Sequence, residues 1–382
     1  MDRIYLDNAA TTTVRPEALE AMLPLLRGGY NASSLHAEGR AARAALDDAR
    51  ETVAAVLGAA PREVVFTGGG SEADVLAIAG AARAARPRGR RVITVATEHH
   101  AVLHAVDGLE GAGWDVVRLP VDRRGLVAAD AFAAALTPET TLASVMLVNN
   151  ETGVIQDVAS LAGIARERGV LFHTDAVQAA GWLPLDVAAL GVDLLSLSAH
   201  KLHGPKGVGA LYVRRGTPLE PLIVGGGQEH GLRAGTEDVA GIAGFAAALA
   251  LADAERPEAA ARVGALRDRL EAAILRAIPR VLVNGAGAPR QPAILSAAFA
   301  GVPSDALLIR LDLEGIAASA GSACAAGSLE PSHVIAALGV DDAYRLGAIR
   351  FSLSRTTTEN DVDAVIARLP GLVADVRTPL AV

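Results

Sequence analysis

A lysine stands at the end of a short apolar run near the middle of this sequence. Lys201 closes the segment Ser198-Ala199-His200-Lys201, which follows Leu195-Ser196-Leu197 directly. A lysine at the mouth of a buried strand, beside small and hydroxylated residues, is where an enzyme can hold a carbonyl cofactor as a Schiff base. A surface lysine that points into water is the simpler interpretation of this segment taken alone. The other segments that could carry chemistry decide between the two interpretations.

Two further segments contain the residues that a phosphorylated pyridine cofactor requires. Asp175 follows the apolar run 170–174, and Gln178 comes three residues later. Pyridoxal phosphate needs an anion against its ring nitrogen, because the protonated ring is the electron sink. Gly68-Gly69-Gly70-Ser71 stands between a strand and a helix, where unhindered backbone N–H groups and a hydroxyl can bind phosphate. Each segment taken singly is also explained as a helix N-cap.

A histidine and an asparagine follow two other apolar runs. His99, in Thr97-Glu98-His99-His100, could stack on a cofactor ring and relay protons near neutral pH. A pair of histidines is also a zinc pattern, but no matching ligands occur at metal spacing, so we predict no metal site. Asn150 lies in the polar turn 149–153, which turn chemistry explains only in part.

One cysteine and one arginine complete the set of candidate residues. Cys324 is the single cysteine of the chain, which excludes an internal disulfide. Glycine, alanine and serine surround it, and this composition predicts a loop rather than a core position. Arg350 interrupts the apolar run 348–353, and its planar fork could bind a substrate carboxylate. An inert thiol and an outward-facing strand arginine remain open from these residues alone.

Alternating apolar runs and helical stretches must position these candidates. Strands are predicted at 63–67, 91–96, 115–119, 142–149, 170–174, 193–198 and 208–213, with helices between most of them. This alternation predicts a largely parallel sheet covered on both faces, with the candidates at the carboxyl ends of the strands, where ligands gather. Further strands at 280–284, 293–299, 315–319 and 348–353, with helices at 304–313 and 331–338, indicate a smaller α+β unit.

Length and charge limit the class of protein. The 382 residues exceed the size of a single core, so we expect two domains, with a boundary near 254–257. The sequence has no apolar run of membrane-spanning length and no secretory leader, so we expect a cytoplasmic protein without a membrane partner. The net charge of −8 argues against direct binding of nucleic acid, which needs a clustered positive surface.

Taken in order, these motifs resemble the cysteine desulfurase family, in its NifS/IscS-like class. Singly several of the motifs are weak, but in this order they are highly specific. The resemblance runs nearly from end to end and rests on Tyr5-Leu6-Asp7-Asn8-Ala9-Ala10-Thr11-Thr12, Asn31-Ala32-Ser33-Ser34-Leu35-His36, Phe66-Thr67-Gly68-Gly69-Gly70-Ser71-Glu72, Thr97-Glu98-His99, Val148-Asn149-Asn150-Glu151, His173-Thr174-Asp175-Ala176-Val177-Gln178, Ser198-Ala199-His200-Lys201, Gly225-Gly226-Gly227-Gln228-Glu229, Arg233-Ala234-Gly235-Thr236, Gly321-Ser322-Ala323-Cys324, Ser328-Leu329-Glu330-Pro331-Ser332 and Ile349-Arg350-Phe351-Ser352-Leu353.

The resemblance implies an α/β fold, the fold-type-I architecture of transferases that depend on pyridoxal 5'-phosphate. This architecture has a large domain with a mostly parallel seven-stranded sheet and a small α+β domain. In this chain the large cofactor-binding domain would comprise 16–255, and the small domain would comprise 1–15 and 256–382. The resemblance also implies a homodimer.

The same resemblance implies a role for each candidate residue. Lys201, Cys324 and His99 would be catalytic: the lysine binds the cofactor and removes the α-proton, the histidine stacks on the ring and moves protons, and the thiol takes the sulfur of L-cysteine as a persulfide. L-alanine would leave, and the sulfur would pass to an acceptor protein for iron–sulfur cluster assembly or nucleic-acid thiolation. The substrate-binding residues would be Asn31, Asn150 and Arg350. The cofactor-binding residues would be Gly70, Ser71, His99, Asn150, Asp175, Gln178, Ser198, His200, Lys201 and, from the other subunit, Thr236.

Four features depart from the family pattern, and the first is that Gly68-Gly69-Gly70 is richer in glycine than usual. Ser71 replaces a usual threonine and Ala32 a common proline, and the sequence ends at Val382 without the longer tail by which housekeeping members contact the iron–sulfur scaffold protein. We therefore expect that the scaffold protein is not the only candidate for the sulfur acceptor.

Other functions fit the same motifs less well. A selenocysteine lyase needs no reactive cysteine, and a catalytically silent sulfur-relay subunit would not need Lys201, Asp175 and His99. A plain aminotransferase would have no use for the cysteine loop.

Overall fold

The computed structural model describes residues 3–28, 30–321 and 331–377. Cys324 and the segment predicted to carry it therefore lie outside the described residues. Within the described ranges, every helix is too short or too polar to span a bilayer.

A seven-stranded sheet forms the centre of the larger part of the chain. Its strands are β2 (Val64–Thr67), β3 (Arg91–Val95), β4 (Asp115–Leu119), β5 (Thr140–Ser144), β6 (Leu171–Asp175), β7 (Leu194–Ser198) and β8 (Gly209–Val213). They lie in the order β2-β8-β7-β6-β5-β3-β4. The strands from β3 to β7 pair in parallel, whereas β8 is antiparallel to both of its neighbours. The predicted class, an α/β fold with a mostly parallel seven-stranded sheet, is confirmed.

Both faces of this sheet are covered, which explains why its strands are apolar runs without alternation. Val64 and Phe66 of β2 belong to one buried cluster, and Val65 between them belongs to another. Successive strand residues point to opposite faces, so the two clusters lie on the two sides of the sheet. The covering helices are α1 (Pro16–Gly28), α2 (Ala37–Leu57), α3 (Gly70–Val75), α4 (Ala81–Ala84), α5 (His100–Gly111), α6 (Ala129–Ala135), α7 (Val158–Glu167), α8 (Val187–Leu190) and α9 (Val239–Ala254).

The rest of the chain builds a separate hydrophobic cluster with the N-terminal residues. This part of the chain contains the helices α10 (Arg256–Ala277), α11 (Ser304–Leu313), α12 (His333–Ala337), α13 (Asp342–Arg345) and α14 (Glu359–Val376), and its strands are β9 (Val281–Val283), β10 (Ile294–Phe299) and β12 (Ala348–Ser352) in the antiparallel order β12-β10-β9. The helices α12 and α13 pack in a small cluster of their own against β10 and β12. A short parallel pair joins β1 (Ile4–Tyr5) to β11 (Ile316–Ala317). Ile4 and Leu6 are buried in the larger cluster, so the two ends of the chain pack together.

Several predicted elements differ in their bounds from the observed ones, and for two of them the structure shows the cause. The predicted strand 142–149 is shorter, because β5 spans Thr140–Ser144. Beyond Ser144 one edge still bonds to β6, but on the other edge the Met146 N–H donates to the Glu98 carboxylate instead of to β3, which has ended. The helix predicted at 331–338 spans His333–Ala337, because the Ser332 side chain caps it at Val334 N.

Candidate active site

A cavity of about 260 Å³ lies at the carboxyl ends of the parallel strands. Most residues that the sequence predicts for the site line it: Gly70, Ser71, His99, Asn150, Asp175, Gln178, Ser198, His200, Lys201 and Arg350. Asn31 and Thr236 do not line it, and both are exposed in the part of the chain that the structure describes. The position of Cys324 relative to the cavity lies outside the described residues.

The lysine is held against the N-terminal segment. Lys201 ends a short 3₁₀ turn directly after β7, and its Nζ donates to the carbonyl oxygens of Ala9 at 2.6 Å and Ala10 at 2.8 Å. Nδ1 of the neighbouring His200 shares a hydrogen bond of 3.1 Å with the Thr11 hydroxyl. The segment 9–11 therefore forms a wall of the cavity and fixes the amine there.

A buried carboxylate faces the same cavity. Asp175 is the last residue of β6 and accepts a hydrogen bond from the Val177 N–H at 2.9 Å. Burial raises the pKa of Asp175, and the Lys201 ammonium partly offsets this rise. A second carboxyl, Asp74, is fully buried beside it, and burial together with the Asp175 and Glu98 charges raises the Asp74 pKa well above its usual range. A cationic group placed against Asp175 would remove much of the cost of its burial.

One end of the cavity collects hydrogen-bond donors. Gly70 begins α3, and a Cβ added there would lie 2.9 Å from Val177 Cγ2 and 3.2 Å from Ser198 Cβ. Only glycine therefore lets the backbone approach Ser198 this closely, and Gly69 before it has φ +142°, which glycine also favours. Backbone N–H groups, the Ser71 and Ser198 hydroxyls and the His200 imidazole together suit a phosphate group.

The histidine predicted to stack on a cofactor is neutral in this environment. His99 is the N-cap of α5, and its Nδ1 accepts the Ala101 N–H at 3.2 Å. Burial and, to a lesser extent, the Lys201 charge lower the His99 pKa to about 4. A neutral ring whose Nδ1 accepts a hydrogen bond carries its hydrogen on Nε2, so His99 can donate a hydrogen bond into the cavity.

The arginine in β12 is buried and bonds to several segments of the chain, so it is not an outward-facing strand residue. Arg350 is 2% exposed. Its Nη1 donates to the carbonyl oxygens of Asn150 at 2.8 Å and Gly321 at 2.9 Å, and its Nη2 donates to Asp7 Oδ1 at 2.8 Å. Its Nε is buried without a hydrogen-bond partner among the described residues. Arg350 also lines the cavity, so its positive charge suits an anionic ligand there.

Sequence reasoning missed several contributors to this cavity. Ala9 and Ala10 line it, and the Gln178 Nε2 donates to the Ala9 carbonyl at 2.9 Å. Asp7 pairs with Arg350, and Glu151 lines the wall next to Asn150. The segment Asp7-Asn8-Ala9-Ala10 was visible as a motif, but only the tertiary fold shows that it touches the lysine.

Comparison with known proteins identifies the class that this fold and cavity define. The chain matches the family Aminotransferase class-V over residues 4–365. The chain therefore belongs to the aminotransferase class-V family, and it is an enzyme that depends on pyridoxal 5'-phosphate.

Its relatives place it more narrowly within that family. It is 46% identical over 376 residues to cysteine desulfurase IscS of Dictyoglomus turgidum, covering 98% of this chain and 95% of the relative. A solved NifS-like protein superposes with a TM-score of 0.92 at 37% identity, covering 98% of this chain and all of the other. A second structure, SspA in complex with cysteine, superposes with a TM-score of 0.82 at 36% identity, covering 93% and 100% of the two chains. Within its family the chain belongs to the cysteine desulfurases.

The residues present fit the cofactor of this family. An anionic carboxylate, a primary amine and a cluster of donors around a glycine backbone face one cavity, and these groups match a ring nitrogen, an aldehyde and a phosphate. Asp175 in particular is a buried carboxylate, and a protonated pyridine would supply positive charge that offsets the cost of its burial.

Proposed function

We propose that this enzyme converts L-cysteine to L-alanine and receives the sulfur on Cys324 as a persulfide, which it passes to an acceptor thiol. The observation that carries the proposal is the meeting of the Lys201 amine, the Asp175 carboxylate and the Arg350 guanidinium in one cavity. An amine and an anion suit the cofactor, and a buried arginine suits the carboxylate of an amino acid.

The chain offers a partner for each part of the cofactor. Lys201 would bond to the aldehyde carbon, Asp175 would pair with the ring nitrogen, and Gln178 would contact the ring oxygen. Gly70, Ser71, Ser198 and His200 would bind the phosphate, and His99 would stack on the ring. When bound, pyridoxal 5'-phosphate supplies an electron sink for the substrate carbon that loses its proton.

The chain's own groups then orient the substrate and move protons. Arg350 and Asn150 bind the carboxylate, which leaves the α-carbon of L-cysteine toward Lys201, whose Nζ accepts the α-proton. The Nε2–H of neutral His99 would donate a hydrogen bond that orients the bound groups. In the net reaction the Cys324 thiol becomes S–SH by taking the substrate sulfur, the C–S bond breaks, and the proton that Cys324 gives up replaces sulfur on the methyl carbon of L-alanine. The outer sulfur then leaves by thiol exchange, whose rate follows thiolate character and access.

A second copy of the chain completes the proposed site. Thr236 and Asn31 are exposed and lie outside the cavity of their own chain, so a direct contact of Thr236 with the phosphate would come from a homodimer partner. We also propose that the chain divides at residue 255, with 16–255 as the cofactor domain and 1–15 with 256–382 as the small domain. The separate hydrophobic cluster that joins Ile4 and Leu6 to residues beyond 262 supports this division.

The sulfur acceptor is proposed as a thiol protein of iron–sulfur cluster assembly or of nucleic-acid thiolation. The net charge of −8 would repel the phosphates of a nucleic acid, so a protein is the more suitable direct partner. Trapping the persulfide during a pull-down would identify the acceptor by mass spectrometry.

The decisive experiment separates cofactor binding from sulfur transfer. The variant Cys324→Ala should retain the absorbance of bound cofactor but form no L-alanine from L-cysteine, and the wild-type protein should gain the mass of one sulfur atom on its single cysteine. Formation of L-alanine by Cys324→Ala at the wild-type rate would contradict the proposed nucleophile.

Mixed dimers test the proposed role of the second subunit. Lys201→Ala and Thr236→Ala homodimers should each be impaired, while a mixture of the two, unfolded and refolded together, should regain activity. In a mixed dimer one site receives both an intact lysine and an intact threonine. Equal impairment before and after mixing would show that Thr236 does not act across subunits.

A further inference from the structure

A buried carboxyl that the proposed mechanism does not use lies beside the substrate-binding arginine. Glu151 follows Asn150 in the turn after β5, lines the cavity and is 2% exposed. Its backbone N–H donates to Asn149 Oδ1 at 3.0 Å, and the Asn149 amide donates to the Thr97 carbonyl at 2.9 Å, so the turn itself is fixed.

The side chain of Glu151 is held from two directions. Its Oε2 accepts a hydrogen bond from the Ser332 hydroxyl at 2.7 Å. A Cβ added to Gly321 would lie 2.7 Å from the same oxygen, so the carboxyl packs directly on the backbone of that glycine. The Gly321 carbonyl in turn accepts from Arg350. The carboxyl therefore packs on the same glycine whose carbonyl oxygen binds Arg350.

The charges around Glu151 are few. Arg350 from β12 is the cation that lowers the pKa of Glu151, but burial dominates and raises that pKa to about 7. Asp7 from the N-terminal segment already takes Nη2 of the guanidinium. Lys201, His99 and His100, and His333 of α12 line the same cavity; burial lowers the pKa values of His99 and His100, which keeps these two imidazoles neutral at pH 7.

Arg350 would face three carboxylates, those of Asp7, the substrate and an ionised Glu151. When a substrate carboxylate binds Arg350, Asp7 and the substrate together exceed its single positive charge. An ionised Glu151 would then be a buried anion beside another anion, a combination that costs several kcal/mol. A neutral Glu151 removes the repulsion and keeps an oxygen for the Ser332 hydroxyl.

We propose that Glu151 is a positioning residue of the substrate pocket, which takes up a proton when the carboxylate of an amino acid binds Arg350. The inference rests on the proposed function, because it uses the assignment of Arg350 to the substrate carboxylate. Its consequence is that the affinity for substrate falls as rising pH removes the proton from Glu151, by up to about tenfold for each pH unit.

Calorimetric titration of the holoenzyme with L-alanine measures the proton directly. L-alanine has the substrate's carboxylate and amine but no sulfur to transfer. Titrations at pH 7.5 in two buffers of different ionisation enthalpy give the number of protons exchanged per site. The wild-type protein should take up roughly half a proton more than Glu151→Gln, because protons exchanged by the ligand's amine and the cofactor are common to both.

Glu98→Gln is the matched control. Glu98 is a second buried carboxyl, which accepts the Met146 N–H and does not line the cavity. Burial raises its pKa well above its usual range, as for Glu151, but Glu98 does not face the substrate carboxylate, so its replacement should leave the proton count unchanged. Proton uptake lost in Glu98→Gln and kept in Glu151→Gln would overturn the inference.

The remaining outcomes separate the inference from the proposed function. Equal proton uptake in the wild-type protein and Glu151→Gln overturns the role of Glu151 and leaves L-alanine binding intact. Failure of the wild-type holoenzyme to bind L-alanine overturns the proposed function and the inference together.

If Glu151→Gln does not fold, a second variant tests the inference. Ser332→Ala removes a donor that favours the ionised carboxyl, so it should move the pH midpoint of L-alanine affinity upward. A midpoint that stays in place overturns the inference.

Discussion

Replacement of Glu151 by glutamine should stabilise the cofactor-free protein at high pH and leave its stability nearly unchanged at low pH. Burial raises the pKa of this carboxyl from its ordinary value of 4.5 to about 7 in the folded chain. Below pH 4.5 both the folded and unfolded states hold the proton, so the carboxyl costs nothing. Between pH 4.5 and 7 the unfolded chain releases its proton first, so the free energy of unfolding decreases as pH rises, and above pH 7 the full cost is present.

The size of the effect follows from the two pKa values. At 1.36 kcal/mol per pH unit, a rise from 4.5 to about 7 corresponds to about 3 kcal/mol. Glutamine does not titrate, and its side-chain oxygen can still accept from the Ser332 hydroxyl. The variant should therefore be more stable than the wild-type protein by about 3 kcal/mol at pH 8 and by less than about 1 kcal/mol at pH 5.

Urea unfolding of the cofactor-free proteins at pH 5, 6, 7 and 8 measures this difference. Glu51→Gln is the control, because Glu51 is exposed on α2, where this replacement should change the free energy of unfolding only slightly. A Glu151→Gln effect of equal size at pH 5 and pH 8, or a variant less stable than the wild-type protein at pH 8, would refute the reasoning.

Three further predictions test the site and its frame. Arg350→Lys should raise KM for L-cysteine about 10- to 100-fold, because a charge-assisted hydrogen bond contributes about 1.5–3 kcal/mol and lysine lacks the planar fork; steady-state kinetics with an unchanged KM would contradict the assignment. Asp175→Asn should weaken retention of the cofactor, since the ring nitrogen loses its anion, and dialysis followed by absorbance measures the loss; full retention would contradict the pairing. Glu229→Gln should destabilise the fold by about 3–5 kcal/mol, because it leaves Arg50 as an uncompensated buried charge. The double replacement Arg50→Met with Glu229→Leu should recover most of that loss in urea unfolding, and a Glu229→Gln cost below about 1 kcal/mol would show that the pair carries little stability.

The Arg50–Glu229 pair shows what a motif search does not reveal. The Glu229 carboxylate accepts hydrogen bonds from both Nη atoms of Arg50 and from the Phe66 N–H, the last at 2.7 Å. This network holds a backbone in which Glu229 and His230 both have positive φ. The sequence shows the glycine-rich segment before it, but the pairing across 179 residues depends on how α2 packs near β2.

Much of the site could nevertheless be predicted from sequence, because parallel strands bring their carboxyl ends to one edge. Lys201 and Asp175 each follow an apolar run, so their meeting required only that the runs be neighbouring parallel strands, as β7 and β6 are. The strand limit at Ser144 could not be predicted in the same way, since it depends on Glu98 taking the Met146 N–H from a distant segment.

The sequence by itself determined the order of strands and helices, the positions of the residues that suit the cofactor, and the family. These features are local, because they follow from apolar runs, turns and residue types within short segments. The tertiary structure alone decided that residues 7–11 close the cavity, that Arg350 is buried against Asp7, and that Glu151 lies in its wall. Those contacts join residues up to 343 positions apart, and the burial that sets their charges exists only once the two ends of the chain pack together.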